Sequence, residues 1–358
     1  MIVHLIDGTY ELFRHFYGQR RFNKGADRPY GAVVGVLHTV LQMFEEGATH
    51  LAVATDHVIE SFRNGLWPGY KTGAGIDAAL RAQFHPLEDA LAAMGVTVWP
   101  MVELEADDAL ASAAHLAAAS ELTHKVCIWT PDKDLAQCVR GERVVQVDRK
   151  TRQIRDAAGV REKFGVEPER IPDLLALVGD SADGYPGLPG IGRVTAARLI
   201  GRYGALEDFP AEVLGERRAL ALLFKTLATL RTDAALFDST EQLQWRGPAA
   251  GFATFAARLG DFYAVSFVFG MAYGGVMPLY AVIARGYFGP HIMGGVVGAA
   301  SLVASLGMSL GPLAGGWIFD SFGTYTWLYV GSFALGLGAV ATALAFPPFP
   351  SARKLAYG

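Results

Sequence analysis

Acidic residues at the ends of short apolar runs are the feature that most constrains the fold of this chain. Runs rich in apolar and β-branched residues precede Asp7, Asp56 and Asp132, and helical stretches separate these runs. Such alternation predicts a mainly parallel sheet whose strands are joined by helical crossovers. Ligands bind at the carboxyl ends of the strands in a sheet of this kind. We therefore expect these carboxylates to lie along one edge.

Nine carboxylates in the first half of the chain are candidates for that edge. They are Asp7, Asp56, Glu105, Asp107, Asp108, Asp132, Asp134, Asp180 and Asp183. Carboxylates brought together repel one another and stay protonated unless a cation neutralises them. Hard oxygen ligands in this number favour Mg²⁺ or Mn²⁺, with two ions expected. The set predicts a divalent-metal enzyme that acts on phosphate esters.

Helix capping is the alternative explanation for any one of these residues. It applies to Glu105, Asp107 and Asp108, which fall in the first turn of a predicted helix, where negative charge is favourable. Capping gives no reason for carboxylates from separate strands to converge, so it does not account for the set as a whole.

The chain divides into three parts by pattern. Residues 1–165 alternate strands with helices, and residues 166–260 read as helices with one glycine-rich hairpin. Within the first part, the glycine-rich segment 62–80 is weakly patterned and is expected to be a mobile excursion over the edge of the sheet. Residues 261–358 have a different character, since only five of them are charged.

Three uncharged runs dominate this last part. They are Phe262–Ala284, Ile292–Phe319 and Tyr325–Phe346, of 23, 28 and 22 residues. Each is long enough to cross a bilayer, and their small residues suit close helix packing in lipid. The alternative is three buried helices of a soluble core. The pattern predicts a three-helix transmembrane segment.

Residues 1–260 carry several motifs that resemble those of one family. The motifs are Leu5–Arg14, Phe62-Arg63, Tyr70-Lys71, Glu105–Asp108, Thr130–Gln137, Val178–Gly184 and the hairpin Gly187–Gly192. In this order they resemble the 5′-nuclease family, which includes flap endonucleases and the 5′→3′ exonuclease domain of bacterial DNA polymerase I. The resemblance implies an α/β, PIN-like or resolvase-like fold with a helical arch and a helix-three-turn-helix subdomain.

The resemblance also implies a role for each carboxylate. The ligands of the first metal would be Asp7, Asp56, Glu105 and Asp107, with Asp108 close by. The ligands of the second metal would be Asp132, Asp134, Asp180 and Asp183. Two such ions can activate a water and stabilise the leaving oxygen of a phosphoryl displacement. The implied function is Mg²⁺-dependent hydrolysis of DNA, as a 5′→3′ exonuclease or a 5′ flap endonuclease.

Three basic residues would act beside the metals. Lys71 and Arg63 fall in the segment that resembles the family's arch, where a cation could stabilise charge on the scissile phosphate. Arg14 is placed to hold a phosphate, with a structural salt bridge as its alternative. The chain departs from the family pattern at residues 73–75, where Gly-Ala-Gly stands in place of a second basic residue.

The glycine-rich hairpin resembles the DNA-binding element of these nucleases. The implied DNA contacts are Gly187, Gly190, Ile191, Gly192, Arg193 and Thr195. Glycines let main-chain N–H groups approach a phosphate, and the N-terminus of the following helix adds its dipole. Such contacts would fix the register on duplex DNA without reading its sequence. Val194 stands where a lysine is frequent in the family.

The three apolar runs resemble the last three helices of a major facilitator superfamily transporter. Arg285 and the pair Arg353-Lys354 would lie on one side of the membrane, which the positive-inside rule makes cytoplasmic. The nuclease part would then face away from the cytoplasm, where it is expected to act. We therefore hypothesise an accidental fusion or frameshifted reading of two genes, with its junction near Gly260-Asp261, although the chain as written would be a multi-pass membrane protein.

Two other functional classes remain open. One is a non-catalytic DNA-binding relative, against which the full acidic set argues. The other is a membrane transport protein with a nuclease-like leader, against which the small number of helices argues. The net charge of −4 is unusual for a DNA-binding protein, and carboxylates held on metals would account for part of it.

Overall fold

The computed structural model describes residues 1–22 and 30–250, the helix Thr326–Ala345, and a few single positions between them. Residues 1–255 form one compact unit and residues 256–358 form another. The carboxylates all belong to the first unit.

A six-stranded sheet forms the centre of the first unit. Its strands are β1 (Ile2–Asp7), β2 (His50–Asp56), β3 (Thr97–Met101), β4 (Lys125–Trp129), β5 (Val144–Val147) and β6 (Ile154–Arg155). Their order is β3-β2-β1-β4-β5-β6, and every pair is parallel except β5 with β6. The predicted mainly parallel sheet is confirmed. Its central strands are buried on both faces, which explains their almost unbroken apolar runs.

Six helices accompany this sheet. They are α1 (Gly8–Phe22), α2 (Gly31–Glu45), α3 (Phe62–Leu66), α4 (Ala78–Arg81), α5 (Phe84–Ala93) and α6 (Ala106–Ala119). The apolar stripes of α2 and α5, such as Val36 and Leu91, pack in one core cluster with Val53 of β2. The alanine-rich helix α6 packs in a second cluster with Leu5 of β1, because small side chains allow close approach. The layers so formed leave the carboxyl ends of the strands to the loops.

The second half of the first unit is helical. Its helices are α7 (Ala157–Phe164), α8 (Ile171–Val178), α9 (Arg193–Tyr203), α10 (Ala211–Leu214) and α11 (Arg218–Ala228). Short 3₁₀ helices lie at Asp134–Cys138, Pro168–Arg170, Leu206–Asp208, Gly215–Arg217 and Thr240–Leu243. Helices α8 and α11 pack against each other around the buried ring of Phe224. The expected helical subdomain is present.

The segment between β2 and α5 differs from its expectation. It does not lie apart from the core, because Tyr70 is buried in the same cluster as the helical part. The main-chain N–H of Lys71 donates to the main-chain oxygen of Asp183 at 2.9 Å, and Trp67 Nε1 donates to the main-chain oxygen of Gly184 at 3.1 Å. Gly69 and Gly184 approach so closely that a Cβ on Gly184 would collide with the main chain of Gly69. The aromatic side chains anchor this segment despite its many glycines.

The second unit contributes one described helix, α12 (Thr326–Ala345), where the run Tyr325–Phe346 was expected to cross a bilayer. Among the residues that the structure describes, no helix is both long enough and apolar enough to do so, and this prediction is not supported. The runs Phe262–Ala284 and Ile292–Phe319, as well as the proposed junction at Gly260-Asp261, lie outside the described residues apart from single positions.

Candidate metal centre

The carboxyl ends of three neighbouring strands bring the acidic residues together. Asp7 ends β1 and Asp56 ends β2, and these two strands are adjacent and parallel. Asp132 follows β4, which pairs with the other side of β1. The convergence predicted from strand ends therefore holds in the fold.

Asp7 lies at the centre of this edge and is buried. Its Oδ1 accepts from the N–H of Tyr10 at 2.8 Å, and its Oδ2 accepts from Thr130 Oγ1 at 3.1 Å. Burial raises the pKa of Asp7 to about 7. Repulsion from Asp56 and Asp132 raises this pKa further, whereas the two hydrogen bonds lower it. The carboxyl is held in one orientation, and no lysine or arginine in the described part of the chain lies within 4 Å of it.

Asp7, Asp56 and Glu105 make up a first group of carboxylates. Asp56 and Glu105 differ in their electrostatic surroundings. Burial raises the pKa of Asp56, although Lys71 and a hydrogen bond from the N–H of Ala106 oppose the shift. Burial would also raise the pKa of Glu105, but Lys71 and Arg63 outweigh it, so that this pKa is lowered. Glu105 is therefore the carboxylate of this group that the protein itself neutralises.

Asp107 lies close to both Asp7 and Asp132. Burial raises its pKa well above the usual value, and the next largest contributions are repulsion from Asp132 and from Asp7. The side chain of Asp107 therefore lies near the carboxylates that end β1 and follow β4.

The second group consists of three carboxylates whose ligand atoms all lie within 4.8 Å of one another. These residues are Asp134, Asp180 and Asp183. Asp134 is buried, and its Oδ1 has no hydrogen-bond partner among the described residues. Burial, followed by repulsion from Asp132 and Asp183, raises its pKa well above the usual value. An unpartnered buried oxygen among carboxylates is what a bound cation would satisfy.

Two lysines supply positive charge to the centre. Lys71 Nζ lies 2.8 Å from Glu105 Oε2 and 3.1 Å from Asp183 Oδ1, so it links the first group to the second. Lys133 Nζ lies 2.7 Å from Asp180 Oδ2. Lys71 thus occupies the position beside the carboxylates that the sequence predicted. Lys133 had not been singled out, although it lies between two of the predicted ligands.

Arg63 and Asp108 are placed differently from their expected roles. Asp108 is fully buried, and each of its oxygens accepts from Arg63 at 2.7 Å. It also accepts from the main-chain N–H of Glu105 and of Arg231. The other donors of Arg63 contact the main-chain oxygens of Leu227 and Thr229. Its Nη1 also lies 3.2 Å from the carboxylate of Glu105. This guanidinium is saturated, so it has no donor left for a substrate phosphate.

Arg14 adopts the salt bridge that was the alternative to a phosphate contact. Its Nε donates to Glu11 Oε1 at 3.0 Å, and its second terminal nitrogen lies 2.5 Å from Glu11 Oε2. Its side chain is 30 % exposed, whereas that of Glu11 is buried. The side chain of Arg14 therefore retains a solvent-facing portion.

The hairpin glycines fall into two kinds. Gly187 has a φ of +68°, and a Cβ there would collide with the main chain of Gly179, so this glycine serves packing within the protein. Gly190 and Gly192 face open space. Ile191 is partly buried against the core of the helical part, and Thr195 is partly buried in the first turn of α9. Only part of the predicted contact set is therefore presented outwards.

Gln146 is a residue of this region that the sequence reasoning missed. It is fully buried in β5, where its Nε2 donates to the main-chain oxygen of Asp132 and its Oε1 accepts from Arg155 at 2.7 Å. It thereby holds the loop that carries Asp132 and Asp134. A polar residue inside the apolar run Val144–Val147 was the available signal.

Comparison with known proteins extends this description. Residues 2–165 match the family model described as "5'-3' exonuclease, N-terminal resolvase-like domain", and residues 166–250 match "5'-3' exonuclease, C-terminal SAM fold". The expected similarity of residues 261–358 to a transporter finds no support in the comparisons.

Curated relatives include both long and short proteins. The chain is 36 % identical over 259 residues to DNA polymerase I of Pseudomonas aeruginosa, covering 67 % of this chain but only 28 % of the polymerase. It is 30 % identical over 266 residues to the 5′-3′ exonuclease of Buchnera aphidicola, covering 68 % of this chain and 86 % of that protein. A 5′-3′ exonuclease of Aquifex aeolicus is also 30 % identical over 259 residues, with 87 % of it covered.

Solved structures share the fold at lower identity. The T5 D15 protein co-crystallised with metal ions has a TM-score of 0.52 and 21 % identity, covering 64 % of this chain and 89 % of that one. The T5 5′-exonuclease with bound zinc has a TM-score of 0.50 and 21 % identity, covering 65 % and 90 %. At this identity the similarity shows the fold of the first unit.

Proposed function

This chain belongs to the 5′-3′ exonuclease family, and on that premise we propose that it hydrolyses DNA phosphodiester bonds from 5′ ends and at 5′ flaps. The observation that carries the proposal is the buried carboxyl of Asp134, which has an unpartnered oxygen within reach of Asp180 and Asp183. Such an arrangement is costly without a cation and stable with one.

Divalent ions, Mg²⁺ or Mn²⁺, fit this donor set of hard oxygens. The proposed ligands of the first ion are Asp7, Asp56, Glu105 and Asp107, and those of the second are Asp132, Asp134, Asp180 and Asp183. When bound, two such ions supply a nucleophilic water at neutral pH and stabilisation of the leaving oxygen. Asp108 is left out of this set because Arg63 occupies both of its oxygens.

Lys71 is proposed to contact the scissile phosphate. Its ammonium group lies between Glu105 and Asp183, and 28 % of its side chain is exposed. A lysine held there can donate to a non-bridging phosphate oxygen as negative charge accumulates on it. Arg14, oriented by Glu11, can contact a neighbouring phosphate through its exposed portion. Arg63 is instead proposed to position Asp108 and Glu105 from within the protein.

Residues 166–260 are proposed to bind duplex DNA, while residues 1–165 carry the chemistry together with Asp180 and Asp183. Gly190 and Gly192 face open space, and Gly192 directly precedes α9, whose first turn has no side-chain cap. Free main-chain N–H groups at a helix N-terminus bind phosphates. Such contacts would position the DNA without selecting its sequence.

The full chain should be tested on 5′-labelled nicked duplex and 5′-flap DNA, with Mg²⁺, Mn²⁺ or EDTA. We expect release of label with either metal and none in EDTA. Asp134→Asn should abolish cleavage, whereas Asp148→Asn should not, because Asp148 follows β5 but only caps Lys150 and Thr151. Intact label in both metals, or equal cleavage by Asp134→Asn, would refute the proposal.

A further inference from the structure

A cleft of about 510 Å³ opens beside the second group of carboxylates. Asp132, Asp180 and Asp183 line it together with three cations, namely Lys133, which pairs with Asp180, and Lys163 and Arg193. Apolar residues complete the lining, including Leu174, Leu175 and Val178. The cleft therefore combines the proposed metal ligands with fixed positive charge and an apolar surface.

Two of these cations, Lys163 and Arg193, lie over the same aromatic ring. Arg193 Cζ lies 4.9 Å from the ring centre of Phe164, and Lys163 Nζ lies 5.1 Å from it. Arg193 also donates to the main-chain oxygen of Lys163 at 2.9 Å. Each cation gains from the ring face, which fixes its position without neutralising its charge.

Neither cation has a carboxylate partner within 4 Å among the residues that the structure describes. Burial lowers the pKa of Lys163, and repulsion from Arg155 and Arg193 lowers it further. Asp148 and Asp132 oppose this shift of the pKa without contacting the lysine. Positive charges that crowd together with no carboxylate in direct contact favour the binding of an anion.

Arg193 is also the cation that the start of α9 provides. The next residue, Val194, is 82 % exposed and uncharged. Arg193 could have pointed outwards from the hairpin, yet it turns towards Phe164 and lines the cleft. Its charge therefore lies at the cleft that Asp132, Asp180 and Asp183 also line.

We propose that Arg193 and Lys163 form a subsite for one backbone phosphate of the DNA strand that is cut, next to the phosphate at the metals. The carboxylates of the cleft repel a phosphate that has no cation beside it, and these two residues supply that cation. The apolar lining suits the adjoining deoxyribose. The assignment rests on the proposed nuclease function for the identity of its ligand.

The first test compares four variants of the full chain in DNA binding, with Ca²⁺ replacing Mg²⁺. Arg193→Ala and Lys163→Ala should each weaken binding of the nicked duplex about 5- to 10-fold at low salt. The slope of log affinity against log salt should fall by about one. Arg202→Ala is the matched control, because Arg202 lies on α9 and over the ring of Tyr203 at 5.0 Å. It should change affinity less than about 2-fold by the same principle, and Arg193→Lys should retain most of the binding.

A second test locates the phosphate. Neutral methylphosphonates placed one at a time along the cut strand should reveal one position that weakens the wild type but not Arg193→Ala. A flat scan, an equal loss in both proteins at every position, or an equal defect in Arg202→Ala would overturn the proposal. Competition by inorganic phosphate with a flat scan would indicate a general anion site, which also overturns it. These binding measurements need no cleavage, so failure of the nuclease proposal would show separately in Mg²⁺.

Discussion

Arg63 and Asp108 form a two-pronged ion pair inside the protein, with both nitrogen–oxygen distances at 2.7 Å. The pair joins α3 to the first turn of α6. Through the main-chain oxygens of Leu227 and Thr229, the same guanidinium also holds the end of α11. One side chain therefore connects α3 and α6 to the helical part of the protein.

Arg63→Met should cost about 3–5 kcal/mol of unfolding free energy, because it leaves Asp108 charged and buried without its partner. Urea unfolding of the full chain measures this. Arg161→Met is the control, since Arg161 pairs with Glu167 in solvent and its loss should cost less than about 1 kcal/mol. The double variant Arg63→Met/Asp108→Leu should recover part of the loss. Equal stability of Arg63→Met and the wild type would contradict the structural role.

Asp134→Asn should stabilise the metal-free protein increasingly as the pH rises. The folded state raises the pKa of Asp134, so the wild-type carboxyl binds its proton more tightly when folded. Its cost is absent below about pH 4 and grows as pH rises towards the folded pKa, at up to about 1.4 kcal/mol per pH unit. Unfolding in EDTA from pH 4 to 7 should show this difference between variant and wild type.

Two histidines titrate in the same window with the opposite sign. Burial lowers the pKa of His4 and of His15 to about 4, so their contribution to stability is gained as the pH rises. Both are present in the variant and the wild type, and their effect cancels in the difference. A difference that stays constant with pH would argue against a strained carboxyl at position 134. Added Mg²⁺ should stabilise the wild type more than the variant.

Lys71→Met should lower the single-turnover cleavage rate about 10²- to 10³-fold while changing DNA affinity little, because its donor is used mainly as charge develops. Rapid-quench kinetics with excess enzyme measures the rate, and equilibrium binding in Ca²⁺ measures affinity. Lys150→Met, which removes an exposed lysine from the β5–β6 hairpin, should leave both unchanged. A loss of rate below about tenfold would remove Lys71 from the chemistry.

Gln146→Leu should raise the Mg²⁺ concentration needed for half-maximal rate about 10- to 100-fold, since partners behind metal ligands have effects of this size. The maximal rate at saturating Mg²⁺ should fall much less, which separates positioning from general unfolding. Gln146→Glu keeps one of the two hydrogen bonds in reach and should be intermediate. Gln153→Leu, on the exposed side of the same hairpin, serves as the control and should match the wild type.

The sequence predicted the parts of the site that depend on strand ends. Asp7, Asp56 and Asp132 each follow an apolar run, and parallel strands must place such residues at a common edge. The order of the strands did not follow from these runs, because it depends on contacts between distant segments.

The assignment of Asp108 shows a limit of reading motifs. Asp107 and Asp108 are neighbours in sequence, but successive residues on a helix point about 100° apart. Asp107 therefore joins the carboxylates, while Asp108 accepts from the N–H of Glu105 in a capping box, as the capping alternative had it. The role of Gln146 was not predicted for a related reason. It lies in β5 while its partner Asp132 lies in the loop after β4, and no local sequence spacing relates the two residues.

The contact between Gly69 and Gly184 has a bearing on how the enzyme can open. The segment that carries Lys71 contacts the loop that carries Asp183 through main-chain atoms, by a hydrogen bond and by the close approach of the two glycines. Moving this segment away from the sheet to admit a DNA end would therefore also move Asp183 away from the neighbouring carboxylates. If a DNA end enters beneath this segment, as the proposed function would require, its entry and the arrangement of the carboxylates are mechanically coupled.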